Sequence, residues 1–134
     1  MKWSEQQSLF RSIVKEEADI LNRKGAEYAS DTDANANFKK RAEDIGIDPK
    51  QILWIFLSKH LDSIKSFIKK GKEISDEPIA GRINDARNYL FLLSCLIEEE
   101  KQVKSKEEHK KKETSSNDSI IKPLMNDNRV NLDD

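Results

Sequence analysis

From Ser4 to about Lys24, Leu9, Phe10, Ile13, Val14, Ala18, Ile20 and Leu21 recur at three- and four-residue intervals, which predicts an amphipathic helix with one face in a core. Ser4 and Gln7 have the spacing of a capping box. Gly25 breaks the pattern, and the stretch from Glu27 to Phe38 is dense in Asp, Asn and Ser, so it reads as an irregular loop opening into a short helix from about Asn37 to Ile45. Gly46 closes that helix. Asp48 and Pro49 then suit the N-cap and first position of a second long helix, Pro49 to Lys70. Its apolar residues are all-round at first (Ile52, Leu53, Ile55, Phe56, Leu57) and one-sided later (Leu61, Ile64, Phe67, Ile68), so its first half is expected to be the more deeply buried. Lys69, Lys70 and Gly71 supply a stop.

Ser75, Asp76, Glu77 and Pro78 cap a third long helix, with Ile79, Ile83, Ala86, Leu90, Leu93 and Ile97 on one stripe. Tyr89, Phe91, Leu92 and Leu96 widen that stripe beyond a simple amphipathic face, so this helix is either central to a bundle or meets a second subunit. Beyond Glu98 the chain turns to Lys, Glu and Ser, and the expectation is a solvated helical extension fraying into disorder. The apolar residues near the end, Ile120, Ile121, Leu124 and Met125 among them, are too sparse for a core. The fold expected is all-α: a small bundle of three long helices and a short one over residues 1–103, followed by a charged, largely disordered tail over 104–134.

Charged residues make up 37% of the chain, yet the net charge is only -1, so acids and bases are interspersed and no DNA binding is expected. The single cysteine, Cys95, sits in an apolar run and is read as a small core hydrophobe. The N-terminus lacks the apolar stretch of a signal peptide, and no window reaches the length of a membrane span, which leads to the expectation of a cytoplasmic protein that meets no membrane.

No nucleophile triad, Gly-rich phosphate loop or cysteine-rich zinc pattern is present in the sequence. Candidate chemistry rests instead on polar residues that interrupt apolar faces. Lys59, His60, Asp62 and Ser63 do so in the second long helix, and Arg82, Asp85 and Asn88 follow one another at three-residue steps in the third. Glu27, Tyr28, Asp31 and Asp33 occupy the loop that could close over both. A plainer reading makes His60 a hydrogen-bonded structural histidine and Asp62 and Asp85 helix-aligning carboxylates.

Lys24 to Ala29, Asp33 through Asn37 and Phe38, Lys59 to Ile64, and Glu77 to Leu90 together resemble a family of small helical proteins of phages and prophages. That family is related to the nucleotide modification associated domain, and its helical plan is similar to that of the MazG-like nucleotide pyrophosphohydrolases. The resemblance runs from about Leu21 to Glu100 and implies an all-α fold, a phage or mobile-element setting and a nucleotide-type ligand. It also implies, in the MazG-like plan, magnesium held by paired carboxylates on two facing helices. Here Asp85 matches the last acid of the second pair, but Arg82 stands three residues before it, and the second long helix offers only Asp62 beside His60 and Lys59. Donors in place of carboxylates favour direct phosphate binding without metal-assisted cleavage.

Three readings follow. The first is a nucleotide-binding protein acting on or sequestering a phosphorylated nucleoside without a required cofactor, with Lys59, His60 and Arg82 on phosphate, Tyr28 or Phe38 against the base, and Glu27, Asp85 and Asn88 completing the site. The second is a magnesium-dependent pyrophosphohydrolase in which Glu27, Asp31, Asp62 and Asp85 gather round Mg2+. The third is a non-catalytic oligomeric protein-interaction module, and under any of the three the wide apolar face with Tyr89, Phe91, Leu92 and Leu96 leads to the expectation of a homo-oligomer, most simply a symmetric dimer.

Overall fold

The computed structural model describes the backbone of residues 1–28, 33–73 and 76–125, and the side chains of these residues except 26–28 and 119–125. Every element in them is a helix: α1 (Trp3–Tyr28), α2 (Ala36–Ile45), α3 (Pro49–Lys70) and α4 (Ile79–Met125). The chain divides into two units, Met1–Leu96 and Ile97–Asp134, where the sequence reading drew its boundary at 103. No helix among the described residues is long and apolar enough to cross a membrane.

The turn between α2 and α3 is written out locally. Gly46 takes the left-handed conformation at φ 76°, its amide and that of Ile47 donate back to the Ala42 carbonyl, and both Ile47 and Ala42 then pack into the core. Two residues on, the Asp48 carboxylate accepts from the Lys50 amide at 2.7 Å while the Gln51 side chain accepts from the Asp48 amide at 3.2 Å, a capping box with Pro49 inside it. Gly71, also left-handed, ends α3 where the sequence places its stop.

The core joins α2, α3 and α4. Phe38 and Ala42 from α2, Ile52 and Leu53 from α3 and Leu96 from α4 are buried together, with Ile47, Phe56, Tyr89, Leu92 and Leu93 packed against them. Three rings form its polar edge: Phe56 stacks on Tyr89 at 6.1 Å between centroids, and Phe38 meets both edge-on at 6.4 and 6.5 Å. The buried residues of α3 are Ile52, Leu53 and Leu57, all in its first half, as the narrowing apolar pattern requires.

Other expectations are corrected. α1 starts at Trp3, so Ser4 and Gln7 lie inside the helix; the reciprocal contact comes instead from Glu5, whose carboxylate accepts from the Lys2 amide at 2.7 Å. The helix runs through Gly25 to Tyr28, placing Glu27 and Tyr28 on a helix rather than in a loop, because one mid-helix glycine costs only about 1 kcal/mol and its neighbours Ala26 and Glu27 are good helix formers. The apolar face of α1 is not core: Trp3, Leu9, Phe10 and Val14 are exposed, and only Ile13, Ile20 and Leu21 are half-buried. α2, α3 and α4 complete a core without it. In α4 the expected stripe is split: Ala86 is buried and Leu93 packs on the core while Ile83 and Leu90 are exposed, and of the residues that widen it Tyr89, Leu92 and Leu96 face the core while Phe91 is exposed. Cys95 is half-buried. Ser75 lies outside the described residues; at the start of α4 the Glu73 carboxylate accepts from the Ile79 amide at 2.9 Å, a favourable place for an anion.

In the second unit, residues 101–118 are helical and exposed, including the part of the sequence assigned to a largely disordered tail. Glu and Lys are strong helix formers, and Glu100/Lys104, Glu107/Lys111 and Glu108/Lys112 stand at the favourable four-residue spacing. The side chains of Ile120, Ile121, Leu124 and Met125 lie outside the described residues.

Candidate ligand cleft

The site begins with Asp85, three residues into the polar series of α4. Its Oδ1 lies 3.5 Å from Lys24 Nζ on α1 and its Oδ2 lies 3.8 Å from His60 Nδ1 on α3, so one carboxylate gathers three helices. His60 Nδ1 is buried without a hydrogen-bond partner, and the imidazole rests on Tyr89 with ring centroids 5.4 Å apart. Burial, and then the negative charge of Asp85, push the Tyr89 phenol above its ordinary pKa of 10.0. A second tie joins α1 to α4 where Glu17, about two turns before Lys24 on α1, accepts from Arg87, which also donates to Asn84.

Over this framework opens a cleft of about 400 Å³ between α1, α2 and α4. Phe38, Phe56 and Tyr89 supply its aromatic floor, Lys24 and Arg41 its cations, and Asn37, Asn88 and Asp85 its neutral and anionic hydrogen-bonding groups. α2 presents Asn37 and Arg41 one turn apart, with Arg41 Nε donating to Asn37 Oδ1 at 3.3 Å. The start of α2 is fixed by Asp33, whose carboxylate accepts from the Lys39 ammonium at 2.8 Å and the Asn35 amide at 2.9 Å. Lys39, and then that amide, hold the Asp33 carboxyl below its ordinary 3.8. A neighbouring cavity of about 510 Å³ between α1 and α4 shares Leu21, Lys24, Asp85 and Asn88 with the cleft.

Of the residues singled out in the sequence, Asp85, Asn88 and Phe38 line the cleft, and His60 stands behind Asp85. Phe38 serves the core as well, with its ring largely buried. The proposed phosphate trio is not brought together. Lys59 is exposed on α3, and Arg82 pairs with Glu77 at 3.1 Å in a separate cavity of about 310 Å³ that also holds Asp62. The side chains of Glu27 and Tyr28, and all of Asp31, lie outside the described residues. Among the described residues no three of His, Cys, Asp and Glu gather as metal ligands, and Asp62 and Asp85 line different cavities.

Lys24, Asn37, Arg41, Phe56 and Tyr89 were not read as site residues from the sequence. The one signal for them was the Asn37–Arg41 spacing beside Phe38 on a short helix. Comparison with protein-family profiles, with curated proteins and with solved structures finds no match to this chain.

Proposed function

We propose that the cleft binds a phosphorylated nucleoside or a nucleotide-derived small molecule, in the cytoplasm of a phage-type host setting, and holds it without a metal. What carries this reading is the composition of one cavity, lined by two cations, Lys24 and Arg41, a half-buried aromatic pair, Phe56 and Tyr89, and two carboxamides, Asn37 and Asn88. A base stacks on the Phe56–Tyr89 side, Asn37 and Asn88 meet its hydrogen-bonding edge, and phosphate oxygens take the guanidinium of Arg41 and the ammonium of Lys24. A volume of about 400 Å³ is within the range of small-ligand sites. The resemblance to nucleotide-handling phage proteins points to the same ligand class. Asp85 has the role of orienting Lys24 and His60 rather than holding magnesium.

Thermal melting in EDTA with a panel of nucleoside mono-, di- and triphosphates, cyclic nucleotides included, tests the reading. A ligand at about 100 times its Kd stabilises the folded state by about 2.7 kcal/mol, a readily measured rise in Tm. Arg41→Ala should lower affinity by about 1.5–3 kcal/mol, the worth of a hydrogen bond to a charged group, and leave the unliganded Tm in place. No shift with any member of the panel would refute nucleotide binding. Turnover that appears only with magnesium would replace it with the pyrophosphohydrolase reading.

A further inference from the structure

The cleft does not end at Lys24. Leu21, Lys24, Asp85 and Asn88 line both the cleft and the cavity of about 510 Å³ between α1 and α4, so the two meet at a common boundary. On α4, Tyr89 and Leu92 belong to the cleft alone and Asn84 and Phe91 to the second cavity alone, and the two pairs are about a third of a turn apart on average. Asp85 and Asn88 form the ridge between them. Lys24 stands at that ridge from the α1 side, with its side chain half exposed and its ammonium 3.5 Å from Asp85 Oδ1. A long, flexible ammonium in this place can reach a ligand group lying across the ridge.

The second cavity repeats the chemistry of the first with one difference. It has an aromatic ring, Phe91, that is 50% exposed, a carboxamide of its own in Asn84 beside the shared Asn88, and the exposed guanidinium of Arg23. Its charges balance, however: Arg23, Lys24 and Arg87 are matched by Glu17, Glu77 and Asp85, and Arg87 is already engaged by Glu17 and Asn84. A pyrophosphate tail gains little there. A second base does gain, because stacking on an aromatic face and hydrogen bonding to carboxamides need no excess of positive charge. In the cleft the cations Lys24 and Arg41 outnumber Asp85, so phosphate belongs on that side and at the ridge. Both volumes fall within the range of roughly 300–1,000 Å³ for a small-ligand site, which gives each cavity room for one nucleoside.

Resting on the nucleotide reading above, we infer that the ligand is a dinucleotide. One nucleoside lies in the cleft with its terminal phosphate at Arg41, the other lies in the second cavity against Phe91, and the phosphate that links them lies at Lys24.

The experiment is isothermal titration calorimetry of the full chain in EDTA, comparing 5′-phosphorylated ribo- and deoxyribodinucleotides of every base pairing with the 5′-mononucleotides, and circular dichroism on each variant. The best dinucleotide should bind about tenfold or more tighter than either of its mononucleotides, the increment of one further stacked base. Phe91→Ala should remove that gain and leave mononucleotide affinity in place, whereas Arg41→Ala should weaken both classes. Should Phe91→Ala fail to fold, Arg23→Gln, at an exposed position, should reduce the gain in the same selective way. Dinucleotides that bind no tighter than mononucleotides, or a gain that survives both Phe91→Ala and Arg23→Gln, would overturn the inference and leave the mononucleotide reading standing. Binding by neither class would end both.

Discussion

α2 and α1 both line the same cleft and are held by different means. α2 is joined to α3 by a turn with a glycine cap on one side and a capping box on the other, and it buries Phe38 and Ala42. α1 buries no side chain among the described residues and reaches α4 through Lys24–Asp85 and Glu17–Arg87. Apolar burial contributes about 1.5–3 kcal/mol for each large side chain, whereas ion pairs of this exposure contribute about 0–1 kcal/mol. One wall is therefore part of the core and the other is an attachment to it.

The largest expected effect lies in the first wall's support. Leu53→Ala, at the most buried position of α3, should cost about 2–5 kcal/mol in urea unfolding. A loss no greater than that of Ile13→Ala on α1 would erase the contrast. Next comes Gly25→Ala. A Cβ there meets nothing within 4 Å and the backbone is not left-handed, so a gain of about 0.5–1 kcal/mol is expected, read by amide exchange along α1. A loss would mean that α1 needs a hinge at that point. Glu17→Gln removes one tether and should cost about 0.2–1 kcal/mol at low salt and less at high salt, with faster exchange in α1 and no change in α3. Equal exchange in both helices would show that α1 is not an attachment.

The smallest effect at neutral pH concerns Tyr89. Its phenol titrates above 10.0 in the fold, so the unfolded chain loses that proton first. The stabilisation is complete below pH 10.0 and is lost as pH rises through the higher folded value. Tyr89→Phe should flatten the alkaline limb of the stability profile while leaving the neutral region nearly level. A parent and variant with identical limbs would place Tyr89 in a wetter environment than the core edge.

Much of the better-held wall was legible in the sequence. Gly46, Asp48, Pro49 and Gly71 are local signals, and α3 has the limits they set, Pro49–Lys70. The exposed side of α4 was not legible, because a helix apolar on most of its circumference does not say which part meets a neighbour. The cleft was half legible. Asp85 and Asn88 stand out as polar residues in an apolar stretch, but Lys24 and Arg41 look like ordinary solvated helix surface, and only the fold brings these exposed cations, on α1 and α2, to the lining of one cavity.

The Gly46 cap and the Asp48 box also bear on the order of folding. The contacts they fix, Ala42 with Ile47 and Phe38 with Ile52 and Leu53, close short stretches of chain and cost little loop entropy. α1 meets α4 across about seventy residues, from Glu17 to Arg87. A transition state with α2 and α3 already formed and α1 still free follows from that difference. Substitutions at Ala42 or Leu53 should then slow refolding, with high φ-values, while Glu17→Gln should chiefly quicken unfolding.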